Sequence, residues 1–73
     1  MDIKLENKIE LKVNEYIEKT GSNKTWIAKQ MGLSKQSLYN LFQSQTPTIN
    51  NLIKLSIILK CKINDLYDYK IID

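Results

Sequence analysis

The chain contains no histidine and no arginine, and only one cysteine, one proline and two glycines. Without histidine there is no His-dependent zinc site, no Ser-His-Asp triad and no imidazole base. Gly21 and Gly32 stand too far apart to build a glycine-rich loop that cradles phosphate. Cys61 has no partner for an internal disulfide. Its neighbours Lys60 and Lys62 would lower its pKa, but a lone cysteine near the end of an apolar helix reads as a small core residue. No catalytic residue, metal or cofactor is therefore expected, and an enzyme is not expected. No purely apolar run is longer than three residues, as in Ile57-Ile58-Leu59, against the roughly 20 needed to span a bilayer. The N-terminal segment is charged and has no apolar core of the signal-peptide kind. These features predict a cytoplasmic protein with no membrane partner. At 73 residues the chain predicts one domain over 1–73. A domain this small buries only about 60% of the surface its unfolded chain exposes, which leaves little room for a substrate cleft.

One further absence is local. From Lys19 to Asn64 there are seven lysines and no Asp or Glu. Residues 1–18 carry three lysines against five acids, and residues 65–73 one lysine against three. The net +3 is thus a +7 centre between two ends of −2 each. A basic centre of this kind attracts a polyanion, or else it is a solvated lysine-rich face. Composition does not choose between them; the apolar pattern does.

Leu5, Ile9, Val13, Tyr16 and Ile17 recur at spacings of three and four, which predicts a helix over about 4–19 with Gly21 just past its end. Asn23 is a good N-cap for a short second helix burying Ile27, Ala28 and Met31 and ending at Gly32. Ser34 then caps a third helix, about 34–43, with Leu38, Leu41 and Phe42 on its apolar face. Only Gly32, Leu33 and Ser34 separate these two helices, and so short a break forces a steep crossing in the geometry of a helix-turn-helix. Small Ala28 permits the close approach. Thr48 caps a fourth helix with Ile49, Leu52, Ile53, Ser56 and Leu59 toward the core and Ile57 as a further candidate. Asn64 caps a short last helix containing Leu66 and Tyr67. The tail 69–73 is apolar, and no segment alternates like a strand. The fold class expected is all-α, a compact five-helix bundle.

The stretch "IAKQMGLSKQSLYNLFQ", followed by "TPTINNLIKLSIILKCKINDLY", resembles the Cro/repressor (XRE-type) helix-turn-helix family of phage and bacterial regulators. The resemblance covers roughly residues 5–67, with Ile27-Ala28, Gly32, Leu33-Ser34, Leu38 and Leu41 as its spine. It implies a lambda-repressor-like DNA-binding fold whose third helix enters the major groove while the second crosses the phosphates. Position by position, Lys24 falls where the family grips a phosphate, and Ser34 starts the recognition helix, where N–H groups and a hydroxyl meet another. Lys35, Gln36 and Asn40 fall on base-facing positions, with Ser37 and Tyr39 beside them. Gln43 and Gln45 fall where the backbone is contacted again. The residue chemistry agrees: an Asn or Gln amide bonds adenine N6 and N7 together, and lysine donates to guanine O6 and N7. Two departures stand out. Asn23-Lys24 replaces the usual Thr-Gln, and the missing arginine removes the commonest bidentate reader of guanine, which points either to modest affinity or to an A·T-rich site.

The first functional reading is a Cro-like regulator binding a palindromic double-stranded DNA operator as a homodimer, through the last helix and tail at Tyr67, Tyr69, Ile71 and Ile72. The second is a modulator or antirepressor that docks on a partner repressor protein. Trp26, at a position usually polar in the family, serves that reading if exposed, but is expected to pack on the first or fourth helix.

Overall fold

The computed structural model describes residues 2–72. Its order is β1 (Asp2–Asn7), α1 (Ile9–Thr20), α2 (Lys24–Met31), α3 (Lys35–Gln43), α4 (Ile49–Leu59), α5 (Ile63–Leu66) and β2 (Tyr67–Ile72). Five helices are present among the described residues, but the fold is not purely α: the two ends of the chain pair as an antiparallel ribbon.

The helical body follows its sequence signals closely. Asn23 Oδ1 accepts from the Trp26 N–H at 2.8 Å, Ser34 Oγ from Ser37 at 3.1 Å and Thr48 Oγ1 from Asn51 at 3.3 Å. Each cap satisfies an N–H that the first helical turn leaves without a partner. Gly21 and Gly32 adopt φ of 75° and 70°, which glycine reaches without a Cβ clash. At Gly32 the chain reverses through two bonds, Gly32 N–H to the Lys29 carbonyl at 3.1 Å and Leu33 N–H to that of Ala28 at 2.9 Å. That pairing is a Schellman stop, and it sets α3 directly after α2. Ile9, Val13, Ile27, Leu38, Leu55 and Leu66 are fully buried in one core, so all five helices contribute to it.

Four expectations are corrected. The first helix starts at Ile9, not near residue 4, and Leu5 lies on β1 with 42% of its surface exposed. Segment 2–7 alternates charged Asp2, Lys4 and Glu6 with apolar Ile3 and Leu5, a period of two that its spacing to Ile9 masked. Its partner strand lies 60 to 70 residues along the chain, from Asn7↔Tyr67 to Asp2↔Ile72, and local periodicity cannot see such a pairing. Second, the tail is β2, so Tyr67 opens a strand rather than closing a helix. Third, α5 starts at Ile63. Asp65 Oδ2 accepts the Lys62 N–H at 3.1 Å, and Asn64 lies inside the helix.

The fourth concerns α4, which buries Leu52 and Leu55 but leaves Ile49, Ile53 and Ile57 exposed by 61%, 41% and 71%. At 3.6 residues per turn, 52, 55 and 59 form one stripe and 49, 53 and 57 another, more than a quarter-turn away. In so apolar a helix either stripe fits the core by pattern alone, and tertiary packing chooses. Cys61 is partly buried, and burial pushes its thiol pKa up, with nearby Asp65 adding to the rise. The flanking lysines do not make it a thiolate.

The ribbon runs in the register Asp2↔Ile72, Ile3↔Ile71, Lys4↔Lys70, Leu5↔Tyr69, Glu6↔Asp68 and Asn7↔Tyr67. Its base is stapled to the body. Asn7 Nδ2 lies 3.1, 3.3 and 2.8 Å from the carbonyl oxygens of Leu41, Phe42 and Ser44, while its Oδ1 accepts from the Ile9 N–H at 2.7 Å. One side chain thus caps the start of α1 and the end of α3. The Tyr67 hydroxyl donates to the Gln45 carbonyl, and the Lys8 N–H to that of Leu66 at 2.9 Å.

Candidate nucleic-acid interface

Burial of Leu38, Leu41 and Phe42 turns the opposite side of α3 outward, exposing Lys35, Gln36, Tyr39, Asn40 and Gln43. Gln36 Nε2 donates to Asn40 Oδ1 at 3.1 Å, one helical turn on. This leaves the Asn40 amide group as donor and the Gln36 carbonyl as acceptor on adjacent turns. Adenine presents the complementary pair in the major groove, N7 as acceptor and N6 as donor. Ser34 is occupied locally: its hydroxyl donates to Ser37 Oγ at 3.0 Å while capping the Ser37 N–H. Of the two serines, Ser37 keeps its hydroxyl proton for an outside acceptor.

Lys24, at the start of α2, reaches over α3, its Nζ 5.6 Å from the centroid of the Phe42 ring. A cation over an aromatic face is held there by the ring quadrupole. Lys24 and Lys35 with Tyr39 and Thr25 line a shallow hollow of about 220 Å³ floored by Leu38 and Phe42. Two ammonium groups around such a hollow suit an anionic oxygen group. On the other flank, Ser37 and Asn40 share a hollow of about 260 Å³ with Thr46, Thr48 and Asn51 at the head of α4. Thr25, Thr46 and Asn51 were not expected at this surface. The N-cap at Thr48 was the available signal, because a helix start beside α3 presents unpaired N–H groups.

Gln43 and Gln45 also line a cavity of about 420 Å³ between the end of α3 and the ribbon base. Tyr67, Tyr69, Ile71 and Ile72 all lie on β2, and Tyr67 at its start reaches the Gln45 carbonyl just past α3. Trp26 is 41% exposed and stacks on Tyr16 of α1, ring centroids 6.5 Å apart and planes 15° from parallel.

The ion pairs among the described residues are Lys8–Asp68, Lys12–Glu15 and Lys70–Glu6, all made by lysines outside the acid-free segment. The lysines of the +7 centre thus present their charge to solvent. No helix of the described residues is long and apolar enough to cross a membrane.

Short, capped helices α2 and α3, joined by a three-residue stop and backed by one core, define a helix-turn-helix DNA-binding domain. The model of the Cro/C1-type HTH DNA-binding domain matches residues 12–70, and the chain belongs to that family of XRE-type helix-turn-helix proteins. No curated protein and no solved structure matches the chain. The family match starts within α1, so β1 lies outside it.

Proposed function

We propose that this chain is a transcriptional regulator that reads a palindromic operator as a homodimer, with α3 in the major groove and Lys24 on the phosphates. The observation that carries this reading is the α3 surface itself. Lys35, Gln36, Tyr39, Asn40 and Gln43 share one exposed face beside Lys24, and the acid-free segment surrounds them. Lys35, Gln36 and Asn40 read base edges, with Ser37 and Tyr39 beside them. Lys24, Gln43 and Gln45 hold the backbone, together with the N–H groups at the start of α3 behind Ser34, whose own hydroxyl is bonded to Ser37. Two copies are needed because one short helix touches too few bases to discriminate among genomic sites. A two-fold dimer reads half-sites about 10–10.5 base pairs apart. With no arginine in the chain, the preferred half-site is rich in A·T.

The test is operator binding measured against salt and substitution. With roughly four to eight phosphate contacts per dimer, log K falls against log[salt] with a slope of about −4 to −7. Asn40→Ala or Gln36→Ala relaxes sequence preference and costs about 1–3 kcal/mol at the cognate pair. Lys24→Ala weakens binding to all sequences alike and flattens the slope by about one. Lys35→Glu abolishes operator binding and leaves the fold intact, since an acid is favourable in a helix's first turn. A shallow salt slope, with Lys35→Glu regulating normally in cells, would refute the reading.

A further inference from the structure

Directly opposed residues of an antiparallel pair share a face, so the register sorts the ribbon into two sides. Asp2, Lys4, Glu6, Asp68, Lys70 and Ile72 form one; Ile3, Leu5, Tyr69 and Ile71 lie on the other, beyond Asn7 and Tyr67 at its base. That second side is apolar and uncovered: Ile3 is 64% exposed, Leu5 42%, Tyr69 66% and Ile71 55%. We infer that this face packs against the same face of a second copy, so that two ribbons stacked across a two-fold axis hold the dimer together. The inference rests on the DNA-reading dimer proposed above and assigns its interface.

Charge selects a second copy over a nucleic acid. The ribbon carries Asp2, Lys4, Glu6, Asp68 and Lys70, a net of −1, and Glu6 is paired with Lys70 at 2.9 Å. It is a stretch of the molecule that does not add to the +7 centre. Two copies repel each other across their basic centres and can approach at these ends. The alternative apolar stripe, Ile49, Ile53 and Ile57 on α4, is bordered by Lys54 and Lys60 within the acid-free segment, so pairing it with itself brings like charges together.

Shape points the same way. A two-stranded ribbon is marginal alone in water and needs a cover for its apolar face. Pairing at the strand edges would only widen the exposed apolar face; stacking removes it. The face also complements itself. An antiparallel stack sets the Ile3–Ile71 pair of one copy over the Leu5–Tyr69 pair of the other.

The area sets the strength. Four large side chains at least two-fifths exposed offer on the order of 400 Å² per copy, the size at which an exposed patch marks an interaction site. Two such faces bury on the order of 800 Å², below the roughly 1,200 Å² of a stable complex. The dimer is therefore weak in free solution and completes on the operator, where adjacent half-sites raise the effective concentration of one copy beside the other. The Asn7 and Tyr67 staples carry this geometry to α3, because they fix the ribbon base to the end of the recognition helix.

Sedimentation equilibrium of the full chain from micromolar to millimolar concentration tests the interface, alongside operator titration. The wild type should move from monomer toward dimer. Ile71→Glu and Leu5→Glu should stay monomeric and raise the operator concentration midpoint on the order of a hundredfold, the avidity lost with the second copy. Ile72→Glu is the matched control, one residue along the same strand and 49% exposed but on the opposite side. It and Ile53→Glu should associate as the wild type does. Isotope-filtered contacts between labelled and unlabelled wild-type copies need no substitution, and should link Ile3, Leu5 and Ile71 methyls with the Tyr69 ring. Contacts at the α4 isoleucines instead, loss of the dimer in Ile53→Glu but not Ile71→Glu, or a wild type monomeric throughout would overturn the inference. A monomeric wild type that still reads the operator, with Lys35→Glu abolishing it, leaves the DNA reading standing. A ribbon dimer that binds no operator sinks that reading and supports this interface.

Discussion

Leu55 and Leu5 are the same residue in two regions built on different terms. Leu55 is fully enclosed by the helical body, where each helix is capped locally and all five share one core. Leu5 stands on a ribbon whose strands come from opposite ends of the chain and whose apolar side faces solvent. The body is stabilised by its own interior. The ribbon is held at its base by Asn7 and Tyr67, and along its length by strand pairing and the Glu6–Lys70 ion pair. Local signals and burial go together in the first region and part company in the second, where the apolar residues stay open to solvent.

Truncating each leucine separates the regions most widely. Leu55→Ala leaves a cavity in a core with little else to spare and should cost about 2–5 kcal/mol. That is a large share of a domain whose total stability is about 0.05–0.15 kcal/mol per residue. Leu5→Ala, on an exposed face, should stay within about 0.5 kcal/mol at dilute, monomeric concentration. Urea unfolding of both variants measures the difference. Equal losses would mean that the ribbon is part of the cooperative core, and the contrast would fail.

The junction between the regions comes next in size. Asn7→Ala removes the donor facing the Leu41, Phe42 and Ser44 carbonyls and the acceptor for the Ile9 N–H. It should cost about 1–2 kcal/mol. Asn7→Asp keeps the acceptor but sets a carboxylate against three carbonyl oxygens, so it should cost at least as much as alanine. Amide exchange should quicken in the last turn of α3 and at the start of α1, and less so in α2. Unchanged protection in α3 would show that Asn7 does not tie the ribbon to that helix.

Legibility in the sequence divides along the same line. Asn23, Gly32, Ser34 and Thr48 each act within four residues, so the caps and stops of α2, α3 and α4 could be read directly. The exposed face of α3 followed once Leu38, Leu41 and Phe42 were assigned inward. The ribbon was not legible: Leu5 sits four residues before Ile9, as a helix would have it, and β2 was too far along the chain to argue otherwise. Ile49, Ile53 and Ile57 were misread because α4 is apolar on two stripes. Asn7, a polar residue between two periodic patterns, gave no sign that it would cap two helices at once.

The smallest expected effect is a pH dependence confined to the ribbon. Glu6 has its pKa lowered, first by the hydrogen bond from Lys70, with the charges of Lys70, Lys8 and Lys4 adding to it, while desolvation, second in size to that bond, opposes the shift. Lys70 has its pKa raised, chiefly by the same bond and by the Glu6 charge. The two shifts describe one interaction between exposed groups. For Glu6, whose folded pKa lies below its unfolded one, the stability is present above the unfolded value and lost as pH falls through the folded value. For Lys70, raised in the folded state, it is present below the unfolded lysine value and lost as pH rises through the folded one. The pair therefore supports the ribbon across the neutral range and fails at both extremes. Because both groups are open to water, salt screens the attraction. Acidification below the ordinary carboxylate range should loosen the Leu5–Tyr69 amides before those of α1 to α4, and Glu6→Gln should remove that acid step while leaving the body's own transition in place. Moderate salt at neutral pH should imitate acid in the ribbon alone. If the ribbon and body amides instead lost protection together at every pH, the ribbon would not be a separate, weakly held element, and the distinction between the two regions would not survive.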